Sequence, residues 1–189
     1  MRSPCFRRLP RSFTFSVLVV VFGAVASPAF AHIVLAEPAA LANTSYRATL
    51  RVGHGCDGAS TSAIRVTMPT GFRGAKPMPK AGWVLSVKSA KLDQPYDDHG
   101  KPVTQDVSEI SWTAASRDHW LPDAFYDEFV LRGLPVLAGP MWFKVLQTCD
   151  KASTHWAELP ASGTSTDKLK NPAALLEVIP SEQAGGHQH

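Results

Sequence analysis

The stretch Tyr46-Arg47-Ala48-Thr49-Leu50-Arg51-Val52 decides the fold. Tyr46, Ala48, Leu50 and Val52 alternate with Arg47, Thr49 and Arg51. Successive side chains of a strand point to opposite faces, so this spacing buries one face and wets the other. The run stops at Gly53-His54-Gly55, where the chain turns. The same rhythm recurs outward from it. Ile64, Val66 and Met68 alternate with Arg65 and Thr67, and strand-like runs follow at Trp83–Val87, Val107–Trp112, Phe125–Leu131, Met141–Gln147 and Leu175–Ile179. Turn chemistry separates them at Pro69-Thr70-Gly71, Pro95 to Gly100, Gly133-Leu134-Pro135, Gly139-Pro140 and Pro160 to Gly163. Fifteen prolines leave little room for long helices, and the helix-like segments are Pro38 to Asn43 and a turn near Leu121. The expectation is an all-β chain: one antiparallel β-sandwich, immunoglobulin-like or cupredoxin-like, of about seven to nine strands.

The ends read differently. Arg2, Arg7, Arg8 and Arg11 precede an apolar run from Phe13 to Ala26, and Ser27-Pro28-Ala29-Phe30-Ala31 places small residues at both critical positions of a cut after Ala31. This is the three-part pattern of a secretory leader over residues 1–31. The uninterrupted apolar stretch falls short of the roughly 20 residues of a membrane span, so no integral span is expected once the leader is cut. Residues 32–180 form the domain, and 181–189 read as a flexible tail. The chain has 19 Lys and Arg against 16 Asp and Glu. Four of those cations lie in the leader and no acid precedes Glu37, which leaves 15 against 16 from residue 32 onward. That balance argues against nucleic acid as a partner, because displacing phosphate counterions needs a basic face. The expected location is beyond the inner membrane, in the periplasm.

Of three cysteines, Cys5 lies in the leader, and Cys56 and Cys149 remain. An even pair in an oxidising compartment reads as one disulfide, with two free thiols or a thiolate copper site as alternatives.

No phosphate-binding glycine loop, nucleophile elbow or zinc-protease helix appears. The seven histidines are scattered. One of them, His32, becomes the first residue after the cut. An amino-terminal histidine offers its α-amino nitrogen and its imidazole Nδ1 to one metal, closing a chelate ring. Two nitrogens with an oxygen donor suit tetragonal Cu(II). Met78, in the loop Lys76-Pro77-Met78-Pro79-Lys80, is the best thioether candidate for Cu(I).

Five ordered motifs carry a resemblance: His32-Ile33-Val34-Leu35; Leu50-Arg51-Val52-Gly53-His54-Gly55-Cys56; Lys76-Pro77-Met78-Pro79-Lys80 with Gly82-Trp83; Tyr126-Asp127-Glu128-Phe129; and His155-Trp156-Ala157-Glu158-Leu159-Pro160. Together they resemble the YcnI-like family of exported copper-binding proteins, over essentially the whole chain after the leader. The resemblance implies a single β-sandwich domain and Cu(II) held by a mono-histidine brace. It also implies a carboxylate as third protein ligand, a tryptophan beside the metal, and a role in copper handling. His32 matches the brace histidine and Trp156 the tryptophan. Glu128 and Glu158 are both carboxylate candidates: Glu158 shares strand parity with Trp156, and Glu128 has Tyr126 and Val130 as neighbours on its own face.

The leading expectation is copper binding without turnover, in trafficking, storage or homeostasis, with other copper-trafficking proteins or transporters as partners. The alternatives are a copper-dependent oxidative enzyme, which needs a second imidazole from His54, His119 or His155, and a metal-free envelope interaction domain. His54 reads as structural beside the cysteine, and His155 faces away from Trp156 on a strand.

Overall fold

A computed structural model describes residues 32–181. The expected leader at 1–31 and the tail histidines His187 and His189 lie outside the described residues. Eleven strands occur in chain order: β1 (Val34–Leu35), β2 (Ala39–Leu41), β3 (Tyr46–Val52), β4 (Thr61–Thr67), β5 (Phe72–Pro77), β6 (Trp83–Asp98), β7 (Lys101–Ala114), β8 (Asp127–Pro135), β9 (Gly139–Cys149), β10 (Ser153–Trp156) and β11 (Ala174–Ile179). One sheet runs β1-β3-β8-β5. The other runs β2-β11-β9-β4-β7-β6, with β10 added to β9. Among the described residues there is no α-helix, and no helix is long and apolar enough to cross a membrane.

Alternation in β3 does what its sequence requires at all but one position: Ala48, Leu50 and Val52 are fully buried and Arg47 and Arg51 are exposed, while Thr49 on the outer face is also buried, paired with buried Val130 of β8. The facing sheet supplies Ile64, Val66, Phe143 and Val145, also fully buried. Aromatic rings lock the two layers. Phe129 meets Trp112 at 5.7 Å and Trp83 at 5.0 Å, both edge-on, the arrangement that ring quadrupoles favour. The Trp112 indole donates to the Met78 carbonyl at 3.0 Å, so its burial leaves no polar group unpaired.

Several elements differ from the sequence expectation. The strand count among the described residues exceeds seven to nine, because β1, β2, β5 and β10 are short or irregular and carry no clear sequence pattern. Pro38 to Asn43 is no helix: Ala39–Leu41 pairs in parallel with β11, a placement that Ala-Ala-Leu does not announce. Trp83–Val87 extends to Asp98, and only His99 and Gly100, both at positive φ, make the turn into β7. Gly133-Leu134-Pro135 continues β8 rather than turning. Near Leu121 the chain makes a 3-10 turn at Arg117–His119 and a bridge to Thr61. Met78 stands exposed.

Cys56 and Cys149 are joined across 93 residues, with Cα atoms 5.9 Å apart, so the free-thiol and thiolate-copper alternatives fall away. A loop of that length is worth about 4–5 kcal/mol in the chain-entropy view. A Cys56→Ser/Cys149→Ser protein should lose stability of that order in urea melts, and an unchanged midpoint would contradict the assignment.

Burial, and secondarily the nearby Glu37 charge, pushes the Tyr46 phenol above its ordinary range. Burial and the hydrogen bond to Asp106 push Tyr96 up to about 12. A folded-state pKa above the unfolded value favours the neutral phenol in the fold. Its contribution is therefore complete below the unfolded value, about pH 10, and is lost as pH rises through the folded values. Thermal midpoints should fall above about pH 10, and less steeply in Tyr46→Phe.

Candidate metal centre

The site lies where β1 begins and β3 ends. Val34 pairs with Arg51 and Leu35 with Leu50, which brings His32, two residues ahead of β1, to the end of the sandwich near the Gly53-His54-Gly55 turn. Gly55 has a steric reason. A Cβ there would sit 1.8 Å from the Ala59 carbonyl oxygen, so no side chain fits. Cys56 and Ala59 exchange backbone hydrogen bonds of 3.1 and 2.9 Å around Asp57 and Gly58, both at positive φ, the signature of a tight hairpin turn. The Gly55 amide donates to Asp123 Oδ1 at 2.8 Å. The disulfide then ties this turn to the end of β9.

Gln147 organises the interior of the site. It has no exposed surface. Its Nε2 donates to the His54 carbonyl at 2.7 Å and to Thr61 Oγ1 at 2.8 Å, and its Oε1 accepts from the Trp156 indole at 2.9 Å. A buried amide costs free energy unless every donor and acceptor is met, and here the network is complete. The result is a buried Trp156, only 4% exposed, fixed by its own N–H.

Two imidazoles stand beside that indole. The His32 ring lies 5.9 Å from Trp156 at 59°, and the His54 ring lies 6.1 Å away at 74°. His54 Nδ1 is 2.5 Å from the Gly55 carbonyl oxygen. A carbonyl only accepts, so Nδ1 carries the proton and the lone pair of a neutral ring lies on Nε2. His155 is exposed on the opposite side of β10 from buried Trp156, as strand parity demands. His119 packs against Gly82 and its Nδ1 lies 3.0 Å from Ser116 Oγ, with no contact to Trp156.

The two carboxylates are engaged. Glu128 is cross-strand from Arg51 and receives its Nε at 3.1 Å, with its side chain 37% exposed. It stands on the outer face of β8, in a wetter setting than its own-face neighbours suggest: Val130 is buried but Tyr126 is 69% exposed. Glu158 is exposed, and its Oε2 accepts from the amides of Lys170 and Asn171 at 2.9 and 3.2 Å. That bond shapes the segment Thr164–Pro172, which with His32 and Leu35 walls a groove of about 180 Å³. Among the described residues no three side chains of His, Cys, Asp or Glu gather into a ready-made metal cluster. The donors present are therefore His32, His54 and the carboxylates that would have to turn toward them.

His54 and Gln147 are the residues that the sequence reading underweighted. Gln147 had a signal: it occupies an inward position in the stripe Met141, Phe143, Val145, Gln147, Cys149. A polar residue there must have buried partners.

Residues 32–178 match the family described as a domain of unknown function, DUF1775. No curated protein matches the sequence. A solved structure is similar in fold, an uncharacterized protein from Nocardia farcinica described as having an immunoglobulin-like fold. It aligns with TM-score 0.60 at 23% identity over 78% of this chain and 97% of its own.

Gln147→Leu should remove three hydrogen bonds and orphan the Trp156 indole. Each unsatisfied buried group costs about 1–3 kcal/mol. The expected readout is a clear loss of stability with a shifted Trp156 emission, and a neutral effect would refute the organising role.

Proposed function

The chain belongs to the DUF1775 family, and on that premise we propose an exported copper-binding protein of the YcnI type. In this reading Cu(II) is held by the His32 α-amine and Nδ1 with a glutamate carboxylate, for trafficking, storage or homeostasis in the periplasm, without turnover. The observation that carries it is the His32 ring held 5.9 Å from buried Trp156, at the first residue of the family match. A leader cut after Ala31 frees a backbone nitrogen beside an imidazole whose setting the fold has already fixed. Nitrogen and carboxylate donors favour Cu(II), whereas Cu(I) selects thiolate and thioether. Cys56 and Cys149 are oxidised to the disulfide, and Met78 stands exposed with its carbonyl engaged by the Trp112 indole.

Glu128 and Glu158 remain the two oxygen donors of this reading. Recruiting Glu128 gives up a surface ion pair, worth about 0–1 kcal/mol. Recruiting Glu158 gives up two charge-assisted amide bonds, about 1.5–3 kcal/mol each. Glu158, however, shapes the wall of the groove beside His32. Energy favours the first and location the second.

A second reading has one observation behind it. His54 brings a second imidazole to Trp156, with its lone pair on Nε2. A two-imidazole site is what a copper-dependent oxidant needs.

Titration of the protein beginning at His32 with Cu(II), followed by electron paramagnetic resonance, should show two nitrogen donors. One alanine added ahead of His32 should abolish them. Retention of affinity and spectrum in the extended protein would sink the brace. Glu128→Gln and Glu158→Gln should differ, with the ligand variant weakened about tenfold or more, a step of about 1.4 kcal/mol. His54→Ala leaves the spectrum unchanged if the brace is mono-histidine and removes a nitrogen donor, with peroxide-driven turnover, if the oxidant reading holds. Absence of Cu(II) in equilibrium dialysis would favour the metal-free interaction domain.

A further inference from the structure

The outer face of the four-stranded sheet carries cations that the fold does not use. Cross-strand register sets Arg47 opposite Arg132 and Arg132 opposite Lys76. Three positive side chains thus stand side by side on β3, β8 and β5, on strands about 4.8 Å apart. All three are exposed. Arg73 lies one row away, opposite Leu134. Among the described residues none of the four forms an ion pair.

Elsewhere the same molecule matches its charges across strands. Arg51 faces Glu128 and bonds it at 3.1 Å, and Lys88 faces Glu109 and bonds it at 2.8 Å. Like charges directly opposite one another destabilise a sheet. Folding therefore gives no reason for the Arg47–Arg132–Lys76 row, and a ligand would.

The row borders a groove of about 380 Å³ between this sheet face and the end of the β6–β7 ribbon, walled by Arg73, Lys76, Arg132, Ser45 and Tyr96. The groove is rigid at its base. The Arg73 guanidinium stacks 4.2 Å over the Tyr96 ring. Asp106 accepts from the Tyr96 hydroxyl at 2.8 Å and from the Gly74 amide at 3.0 Å, pinning the β5 irregularity to the ribbon. Two acids, Asp97 and Asp98, also border the groove. The Asp97 carboxylate accepts from the Gly100 amide at 2.7 Å, and the Asp98 carboxylate lies 3.7 Å from the His99 ring at the hairpin turn.

We propose that this groove binds a phosphate-bearing anion, with the phosphoryl oxygens held by Arg132, Lys76 and Arg73. Guanidinium forks match tetrahedral oxyanions bidentately, and the lysine adds a point charge. From residue 32 onward the chain carries one more acid than base, so the attraction is local to this face and not a general effect of net charge. The site is independent of the copper reading.

The test is calorimetric titration of the purified protein with inorganic pyrophosphate, alongside sedimentation with vesicles of phosphatidylglycerol and of phosphatidylcholine. Binding of pyrophosphate identifies a soluble phosphate ligand. Binding of phosphatidylglycerol vesicles alone identifies a lipid headgroup as the source. In either case Arg132→Gln and Lys76→Gln should each weaken binding about tenfold, while Arg65→Gln on the other sheet leaves it unchanged. Without ligand, Arg132→Gln should melt no lower than the parent, since it relieves repulsion, which separates lost binding from lost folding. No binding to either probe, or equal binding by parent and variants, overturns the proposal.

Discussion

The candidate centre depends on one buried amide that must satisfy every donor and acceptor it has. Gln147 sits with no exposed surface between a turn, a strand and an indole, and it bonds all three. Removing it from water is favourable only because each partner is in place at once, so the His54 carbonyl, Thr61 and Trp156 are fixed relative to one another. The disulfide acts on the same few residues: Cys56 follows the turn, Cys149 follows Gln147 by two positions, and the Cys56 amide points at Cys149 Sγ at 3.0 Å. Covalent and hydrogen-bonded constraints thus converge on the end of the sandwich where His32 arrives.

Much of this was legible in the sequence for a clear reason. Alternation in Tyr46–Val52 and in the runs after it reports a half-buried sheet, and the two cysteines left after an expected leader cut point to a disulfide. Short strands were not legible because they lack that signal. Ala39–Leu41 has no β-branched residue and is held by parallel pairing to β11, a contact between distant segments. Phe72–Pro77 carries Gly74 and Pro77, both poor strand formers, and is held by β8 through an irregular register. Parity tells which residues share a face, but not which face is buried or what lies across. That is why Glu128 could be placed with Tyr126 and Val130 from sequence, while its partner Arg51, 77 positions away, could not.

The site shows the same division. A leader-like pattern and a motif single out His32 and Trp156 in the sequence. The glycines flanking His54 mark it as a turn residue with a structural job. It does have that job, through Gly55, Asp123 and the disulfide, and the turn also delivers its ring to Trp156. A structural role and a place at the site are not exclusive, because a rigid turn is what positions a side chain within reach of another.

The two outer features of the four-stranded sheet illustrate how register distributes charge. On one end of β3 and β8, antiparallel pairing brings Arg51 to Glu128. Four residues along each strand, the same pairing brings Arg47 to Arg132, and β5 adds Lys76. Shifting register by two residues would keep the apolar face inward but would change every one of these pairings, so the buried face alone does not choose among them. The choice rests on the whole set of backbone bonds, turns and core contacts, and those constraints leave the cation row without a partner of its own. Exposed charge with water on one side tolerates such a row at modest cost. The cost is nonetheless real, and the stacking of Arg73 on Tyr96 and the grip of Asp106 on Gly74 add rigidity where relaxation would have let the cations spread apart. Repulsion held in place by rigid neighbours is the condition under which an anion gains most by binding.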